Sequence, residues 1–345
     1  MSTLPARKFR NPRAKHDFKG RTCSIAGVGS YVPERIVTNA ELEKLVETTD
    51  DWITSRTGIK ERRIAAADEF TSDLGTKAAR RAMENAGVTA DQIDLIIVST
   101  ITPDMPFPST ACLVQQKLGA TRAAAFDLEA ACSGFIYGLE VGQQFIMSRT
   151  YDTVLVIGAE KLSSIINWKD RNTCVLFGDG AGAAILQSRP NSHGLLTACM
   201  GADGAKAELL SMPGGGSRCP ATVASVTDGL HFLRMEGKET FKSAVNAMCS
   251  AANEVLRRCE IDITQVKCVI PHQANQRIID AVGDRLGTKP GQVFVNLHKY
   301  GNTSAASVAI ALDEAVTSGQ IQRGDLILLV VFGAGLTWGA AVIEW

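Results

Sequence analysis

The chain has 345 residues, 45% of them hydrophobic, and its 36 basic side chains are balanced by 36 acidic ones. Zero net charge argues against a nucleic-acid-binding protein, which normally carries a basic excess, and no apolar run is long enough to span a bilayer. The length and apolar content instead predict a large core, shared by two domains of ordinary size or by two tightly fused halves.

The chain begins with a basic segment, residues 1–21, in which seven lysines and arginines face a single acid, Asp17. Because this segment lacks the apolar stretch of a secretory signal, we expect a flexible arm or a start codon placed too early. Nine cysteines follow, none in the C-x-x-C spacing of zinc or redox sites. We therefore expect reduced thiols, no metal site and a cytoplasmic location.

In the first half, from residue 22 to 193, predicted strands alternate with predicted helices. Hydrophobic periodicity predicts a helix over 74–86 that ends at Gly87, and an apolar helix over 132–149. Apolar runs predict buried strands at 95–98, 124–128, 153–158 and 181–186. This alternation is typical of mostly parallel sheets that helices cover on both faces.

The second half, residues 194–345, repeats that order. Helices are predicted at 241–258 and 304–316, and strands at 195–198, 266–270, 293–296, 326–332 and 338–343. The halves align element by element, which indicates an internal repeat. The alignment places Cys132 and Asn302 at matching helix starts, where a pseudo-twofold axis could bring them face to face.

Cys132 lies in the segment E-A-A-C-S-G-F, just after a predicted strand and at the start of a predicted helix. Amides and the dipole at that helix end would stabilise a thiolate, and the small neighbours would let a substrate carbonyl approach the sulfur. A buried core thiol is the ordinary alternative for any one of nine cysteines. The strand-to-helix position favours Cys132 over the other eight.

Two more polar residues follow predicted buried strands. His272 comes directly after Pro271, at the carboxyl edge where open α/β sheets place their sites, and Asn302 precedes a helix that it could also cap. With Cys132 they match a nucleophile, a proton-handling base and an orienting group. Papain-like proteases use the same order of residues, but their C-G-[SA]-C-[WY] context is absent.

The chain has two glycine-rich segments of interest, and the first of them is a poor nucleotide-binding motif. G-D-G-A-G at 178–182 lacks the Gly-Lys-Ser/Thr of a P-loop, and it precedes a strand where a dinucleotide fingerprint has a helix. We expect its glycines to permit tight turns and close backbone approach. Phe332–Gly339 ends a predicted buried strand, and its amides could form part of an oxyanion hole.

Taken together, these segments resemble the signature segments of β-ketoacyl-acyl-carrier-protein synthase III, a family of the thiolase-like condensing enzymes. The segments that carry the resemblance occur in family order after residue 21: Asp51–Ile59, Glu129–Phe135, Phe177–Ala184, Pro271–Arg277, Gly301–Ser307 and Phe332–Gly339. The resemblance implies an α/β thiolase-like fold, with two pseudo-repeated halves whose mixed sheets and helices form αβαβα layers.

The resemblance also implies the reaction, a decarboxylative Claisen condensation that initiates type II fatty acid biosynthesis. A short acyl-CoA would load Cys132, malonyl-acyl carrier protein would be the second substrate, and no cofactor is expected. The amides of Cys132 and Ala334 would bind the oxyanion, while His272 and Asn302 would hydrogen-bond the malonyl thioester carbonyl. The family often has Gly where Ala334 stands, and a backbone donor survives that change.

By the same resemblance, Trp52 and Arg171 would hold the adenine of coenzyme A between them, and Arg56 would meet its phosphates. The ordinary alternatives are packing for Trp52 and solvated surface charges for the two arginines. Asn275 would line the pantetheine tunnel, and Phe332 would line the substrate site. A basic rim would receive the acidic carrier protein, and it comprises Lys242, Arg277 and Arg285, with Asp284 as a departure from the family pattern.

The resemblance implies a homodimer as well. The strand at 153–158 would lie at a sheet edge and form the dimer seam, because an apolar edge needs covering. Phe107 would cross that interface between two prolines and shorten the partner's acyl pocket, so short primers would be preferred. The alternative for Phe107 is simple packing in the dimer core.

Two rival functions stay open at this point. A related condensing enzyme of secondary metabolism could share the same three residues and use a different starter or acceptor. A hydrolase with a Cys–His pair is the rival from another class, and an acyl-enzyme that survives without the malonyl donor would argue against it.

Overall fold

The computed structural model describes residues 22–189 and 194–345. The predicted basic arm, residues 1–21, and the predicted boundary at residue 193 lie outside the described residues. The strands, in chain order, are β1 (Thr22–Tyr31), β2 (Ile36–Thr38), β3 (Glu61–Arg63), β4 (Leu95–Ser99), β5 (Ala124–Leu128), β6 (Thr153–Glu160), β7 (Gly180–Arg189), β8 (Leu195–Ala202), β9 (Leu210–Ser211), β10 (Arg234–Met235), β11 (Cys268–Pro271), β12 (Leu326–Gly333) and β13 (Thr337–Glu344).

The α-helices begin close to the predicted positions, and Gly87 ends the first long one in the left-handed conformation, with φ of 66°. They are α1 (Asn39–Leu42), α2 (Asp50–Thr57), α3 (Thr71–Ala86), α4 (Thr110–Leu118), α5 (Gly134–Met147), α6 (Arg171–Cys174), α7 (Val223–Thr227), α8 (Gly237–Arg258), α9 (Gln276–Leu286), α10 (Leu297–Tyr300) and α11 (Ala306–Thr317).

Two sheets share one plan. The first has the order β1-β7-β6-β4-β5, and the second has the order β8-β13-β12-β11. In each sheet the first two ladders are antiparallel and the next is parallel. A single parallel bridge, Val269 to Val293, stands in the second sheet where β5 stands in the first. The internal repeat is therefore visible in strand order and direction, and both sheets are mixed, not mostly parallel.

The predicted strand at 293–296 is reduced to that one bridge. The side chain of Gln273 occupies the groups that a longer strand would use, since its Oε1 accepts from the amides of Asn296 and Leu297 and its Nε2 donates to the carbonyl of Phe294. A buried amide side chain can thus replace a strand ladder. The sequence pattern of alternating apolar residues does not reveal this substitution.

The helices and sheets stack in five layers. Helices α3 and α4 cover the outer face of the first sheet, and α8 and α9 cover the outer face of the second. Helices α5 and α11 lie between the sheets, where one apolar cluster joins residues of both halves. This central layer carries the segments of the two halves that the sequence predicts to hold the site.

Glycines let the central helix α11 lie directly on the first sheet. A Cβ at Gly158 would come within 2.4 Å of the Ala305 carbonyl oxygen, and one at Gly182 within 2.4 Å of the Ala309 Cβ. At Gly178 a Cβ would come within 2.3 Å of the Tyr300 carbonyl oxygen. The predicted role of the glycine-rich segment in close backbone approach is confirmed at Gly178 and Gly182.

Candidate active site

Cys132 lies in a short 3-10 turn, Ala131–Ser133, between β5 and α5. Ala131 adopts φ of 45°, an uncommon value for a residue with a Cβ, and this turn presents the sulfur at the end of the sheet. Burial raises the pKa of the Cys132 thiol to about 12. Desolvation is the largest influence on this thiol and acts against the stabilised thiolate that the sequence predicts, and α5 begins only at Gly134.

His272 follows the end of β11 and is buried. Its Nδ1 lies 2.6 Å from the Ser307 Oγ, and its backbone amide donates to the Val330 carbonyl. Burial lowers the pKa of His272 to about 3, so the imidazole is neutral. When the Ser307 hydroxyl donates to Nδ1, the ring proton stays on Nε2, which makes Nε2 a hydrogen-bond donor.

Asn302 is buried in the turn that precedes α11. Its backbone bonds to Leu176 and Gly178 tie this turn of the second half to the first half. Its Oδ1 accepts from the Ser304 amide at 2.8 Å, which leaves Nδ2 as a donor. The alternative role as helix cap is wrong, because α11 begins at Ala306 and Asn302 closes the turn before it.

Cys132, His272 and Asn302 line one cavity of about 150 Å³. A second cavity, of about 610 Å³, also includes Cys132 in its lining and is lined mainly by apolar side chains, among them Ile101, Leu162, Ile165 and Leu233. Cys132, Phe177 and Leu210 line both cavities. Cys132 therefore lies at the junction of a cavity with two polar donors and an apolar cavity.

The sequence of this chain is similar to sequences of known proteins over almost its whole length. The family models for 3-oxoacyl-[acyl-carrier-protein] synthase III and for its C-terminal part match residues 126–204 and 256–345. A β-ketoacyl-[acyl-carrier-protein] synthase III of Caldanaerobacter subterraneus is 59% identical over 321 residues, covering 93% of this chain and 97% of the relative.

The chain belongs to the β-ketoacyl-acyl-carrier-protein synthase III family.

Solved structures of the family have the same architecture. The enzyme of Aquifex aeolicus is 48% identical with a TM-score of 0.88, covering 94% of this chain and 100% of its own. The enzyme of Pseudomonas aeruginosa is 37% identical with a TM-score of 0.87, covering 94% and 98%. The five layers described above are thus the thiolase-like fold of this family, as the sequence resemblance implies.

The residues expected to bind coenzyme A come together at the surface. The indole of Trp52 has the Arg56 guanidinium 4.6 Å and the Arg171 guanidinium 4.8 Å from its ring centre. Arg171 also donates to the Glu47 carbonyl. The ring of Trp52 is therefore in contact with both arginines of the expected set.

Asn275 caps α9 and lines the smaller cavity with Phe332. Its Oδ1 accepts from the Arg277 amide, and its Nδ2 donates to the Arg56 carbonyl, so it joins the cavity to the helix that carries Trp52.

The residues expected to dock the carrier protein are exposed, but acidic and neutral polar side chains lie close to them. Lys242 lines a surface hollow together with Asp203 and Glu239, and Arg285 donates to Asn246. Arg277 donates to the Ser55 carbonyl. Acids therefore interrupt this rim, as Asp284 already indicates in the sequence.

Ala334 follows β12 and lines the larger cavity together with Cys132. Gly333 brings the end of β12 against the nucleophile, since a Cβ at Gly333 would lie 2.7 Å from the Cys132 amide nitrogen. The carbonyl of Ala334 accepts from the Thr337 hydroxyl, which also donates to the Ala130 carbonyl. Both segments of the expected oxyanion hole are thus cross-linked at this point.

The sequence prediction that the strand at 153–158 lies at a sheet edge and forms a dimer seam is wrong about the sheet edge. Strand β6 lies inside the first sheet between β4 and β7. The edge strands of this sheet are β1 and β5, and all residues of β5 are half-buried in the single chain. Phe107 is 84% exposed and lines neither cavity, although its neighbour Pro106 lines the larger one. A continuous apolar run marks a buried strand whatever its place in the sheet, which explains the wrong assignment.

Sequence reasoning missed two residues at the site: Ser304, which lines the larger cavity, and Ser307, which contacts His272. The two serines lie in the same N-T-S-A-A-S segment as Asn302, where hydroxyls in a tight turn could have been noticed. Among the described residues, the helices are too short or too polar to cross a membrane.

Proposed function

We propose that this chain condenses a short acyl-CoA with malonyl-acyl carrier protein to give 3-oxoacyl-acyl carrier protein, the first condensation of type II fatty acid biosynthesis. The observation that carries the proposal is the junction at Cys132, where a donor-lined cavity meets an apolar one. The membership of the chain in the family supports the same reaction.

In the first step the Cys132 sulfur attacks the acyl-CoA carbonyl carbon, and coenzyme A leaves as its thiolate. The negative oxygen of the tetrahedral intermediate would lie at the amides of Cys132 and Ala334. The acyl chain then occupies the apolar cavity, which Leu162, Ile165 and Leu233 help to line.

In the second step His272 Nε2 and Asn302 Nδ2 donate to the thioester carbonyl of the malonyl group. As carbon dioxide leaves, the electron pair forms an enolate that these donors stabilise, and its carbon attacks the acyl-Cys132 carbonyl. Cys132 is then released as thiolate. A neutral His272 suits this step, because it donates one hydrogen bond without introducing a cation that would favour the malonyl carboxylate.

Residues near the smaller cavity and on the neighbouring surface complete the proposal. Trp52, Arg56 and Arg171 would bind the nucleotide of coenzyme A, and Asn275 and Phe332 would line the path of the pantetheine arm. The carrier protein would dock at Lys242, Arg277 and Arg285. The proposal keeps the cytoplasmic location, and it treats coenzyme A as part of a substrate, not as a cofactor.

We expect acetyl-CoA to add one acetyl group to the protein, on Cys132. Cys132 lines both cavities, and the other thiols line neither. Intact mass followed by peptide mapping measures this, with Cys249→Ser as a matched control that should label like the parent. Acetylation of a different cysteine, or full condensing activity in Cys132→Ser, would refute the assignment.

The proposal includes a homodimer formed along β5. Within the described residues β5 pairs only with β4, so its other edge is open. Asp127 of β5 accepts from the amides of Thr110 and Ala111 at the start of α4, which places the exposed Phe107 loop beside this edge. A twofold partner strand would cover the edge, and Phe107 could then reach the partner's apolar cavity.

We expect Phe107→Thr to accept longer acyl-CoA primers than the parent, which should prefer acetyl- and propionyl-CoA. The discrimination is graded, because one methylene changes binding in an apolar pocket by only about 1–3 kcal/mol. The kcat/KM across a primer series measures it, and sedimentation should give a dimeric mass for both proteins. An unchanged primer profile would remove Phe107 from the pocket, and a monomeric parent would contradict the dimer.

A further inference from the structure

Gln273 is a buried polar side chain that directly follows His272, and only 1% of its surface is exposed. The lining of the smaller cavity includes His272, Ala274 and Asn275 but not Gln273. Gln273 therefore contributes to the site through its neighbours and not through contact with a ligand.

The amide of Gln273 makes four hydrogen bonds, all of them to the backbone. Its Nε2 donates to the carbonyls of Pro271 at 2.7 Å and Phe294 at 3.2 Å. Its Oε1 accepts from the amides of Asn296 at 3.0 Å and Leu297 at 3.1 Å. A primary amide has two N–H donors and two acceptor lone pairs, so all of them are used. The side chain is thus a fixed bridge between the end of β11 and the start of α10.

One end of this bridge holds His272. The peptide group between Pro271 and His272 is held at both polar atoms, because its carbonyl accepts from Gln273 and its amide donates to the Val330 carbonyl at 2.8 Å. A peptide group is planar, so these two bonds fix the backbone from which the imidazole projects. Ser307 then holds the ring itself through Nδ1.

The other end of the bridge holds the turn that leads to Asn302. Asn296 precedes α10, but its side chain does not cap this helix, and the Oε1 of Gln273 accepts from the amides of Asn296 and Leu297 instead. At the end of α10 the Gly301 amide donates to the Leu297 carbonyl at 2.9 Å, and Asn302 is the next residue. A displacement of Leu297 is therefore passed on to Asn302 within one helical turn.

One side chain thus joins the segments that carry both donors of the smaller cavity. We propose that Gln273 is a positioning residue that sets the spacing between His272 and Asn302. The proposal rests on the roles proposed above, in which both residues donate to the thioester carbonyl of the malonyl group. Two donors stabilise one oxygen only when both lie at hydrogen-bond distance from it, whereas the loading of Cys132 does not use them. Loss of the bridge should therefore slow decarboxylation more than loading.

Gln292 offers a matched control, because it is a second buried glutamine that bonds to the backbone. Its Nε2 donates to the carbonyls of Ile263 at 2.8 Å and Val266 at 2.6 Å, and its Oε1 accepts from the Lys289 amide at 2.8 Å. Gln292 lines neither cavity. Its replacement removes buried hydrogen bonds of the same kind without reaching the segments that carry the two donors.

Replacing Gln273 by methionine keeps the length of the side chain and removes its four hydrogen bonds. Release of labelled carbon dioxide from malonyl-acyl carrier protein should fall about 10²-fold in Gln273→Met, since a shift of about 1 Å at a reacting group has an effect of that size. Acetylation of Cys132 and the KM for acetyl-CoA should stay close to the parent values. Gln292→Met should resemble the parent in both steps.

The effect should also depend on the donors themselves. In His272→Ala, the further loss caused by Gln273→Met should be smaller than in the parent, because only Asn302 is left to be displaced. Gln273→Glu carries the test if Gln273→Met does not fold. Burial favours its protonated carboxyl, which keeps an acceptor and one donor, so the same selective loss should appear at smaller size. Decarboxylation at the parent rate, or an equal loss of both steps, overturns the inference.

Hydrogen exchange tests the bridge without any substrate. Exchange in residues 271–275 and 294–302 should become faster together in Gln273→Met and stay unchanged in Gln292→Met, because only the first variant removes the partner that the two segments share. Unchanged exchange in Gln273→Met overturns the inference. If exchange is faster in both segments but the parent releases no carbon dioxide from malonyl-acyl carrier protein, the proposed function fails and the positioning by Gln273 stands.

Discussion

Replacing His272 by alanine is expected to leave the loading of Cys132 intact while the release of carbon dioxide from malonyl-acyl carrier protein falls about 10²–10³-fold. The loss follows from geometry, because Nε2 is the donor that faces the smaller cavity and no other ring nitrogen lines it. Single-turnover acetylation and release of labelled carbon dioxide measure the two steps separately.

Two matched variants sharpen this result. Ser307→Ala keeps the imidazole but removes the group that fixes its tautomer, so decarboxylation should fall by less than in His272→Ala. Asn302→Ala should also slow decarboxylation about 10²-fold, although it additionally frees the Ser304 amide. Carbon dioxide released at the parent rate by both His272→Ala and Asn302→Ala would contradict the assigned roles.

Gly333→Ala is expected to reduce acylation of Cys132 about 10²-fold or more. The added Cβ would lie 2.7 Å from the Cys132 amide nitrogen and 3.1 Å from the Ser133 amide nitrogen, and backbone atoms cannot rotate away as a side chain can. A shift of about 1 Å at a reacting group typically costs about 10²-fold in rate. Acetylation kinetics under saturating acetyl-CoA measure the effect.

Gly204→Ala provides the control, because a Cβ at Gly204 would meet no atom within 4 Å. This variant should acylate like the parent. Overpacking at Gly333 should also lower the free energy of unfolding by about 1–3 kcal/mol, which denaturant titration can measure. Parent-like acylation by Gly333→Ala would show that the end of β12 does not fix the nucleophile.

Most of the fold could be predicted because its elements are long and apolar. The strand at 124–128 has the predicted bounds, and those at 95–98 and 326–332 are off by one residue at one end. Short elements such as β2, β3, β9 and α7 were missed, since a few residues carry no usable periodicity. The position of a strand within its sheet could not be predicted either, as the placement of β6 shows. An apolar strand in the centre of a sheet has the same sequence pattern as an apolar edge strand that a partner subunit covers.

The candidate site was predicted in its composition but not in its electrostatics. The three polar positions at strand ends could be found because the carboxyl ends of strands converge, and Cys132, His272 and Asn302 do line one cavity. The raised pKa of Cys132 could not be found, since it depends on how deeply distant segments bury the sulfur.

Strand β13 follows every other described strand along the chain, yet it is inserted between β8 and β12. A nascent chain that has emerged only as far as β12 therefore has an empty slot in its second sheet, and the segment with Gly333 and Ala334 has no anchor at Thr337. The thiol of Cys132 is made some 200 residues before this slot is filled. During translation the nucleophile thus exists for many seconds without the groups that would let it react, at typical rates of about 5–20 residues per second. The second sheet is therefore completed only after almost all of the described chain has been synthesised.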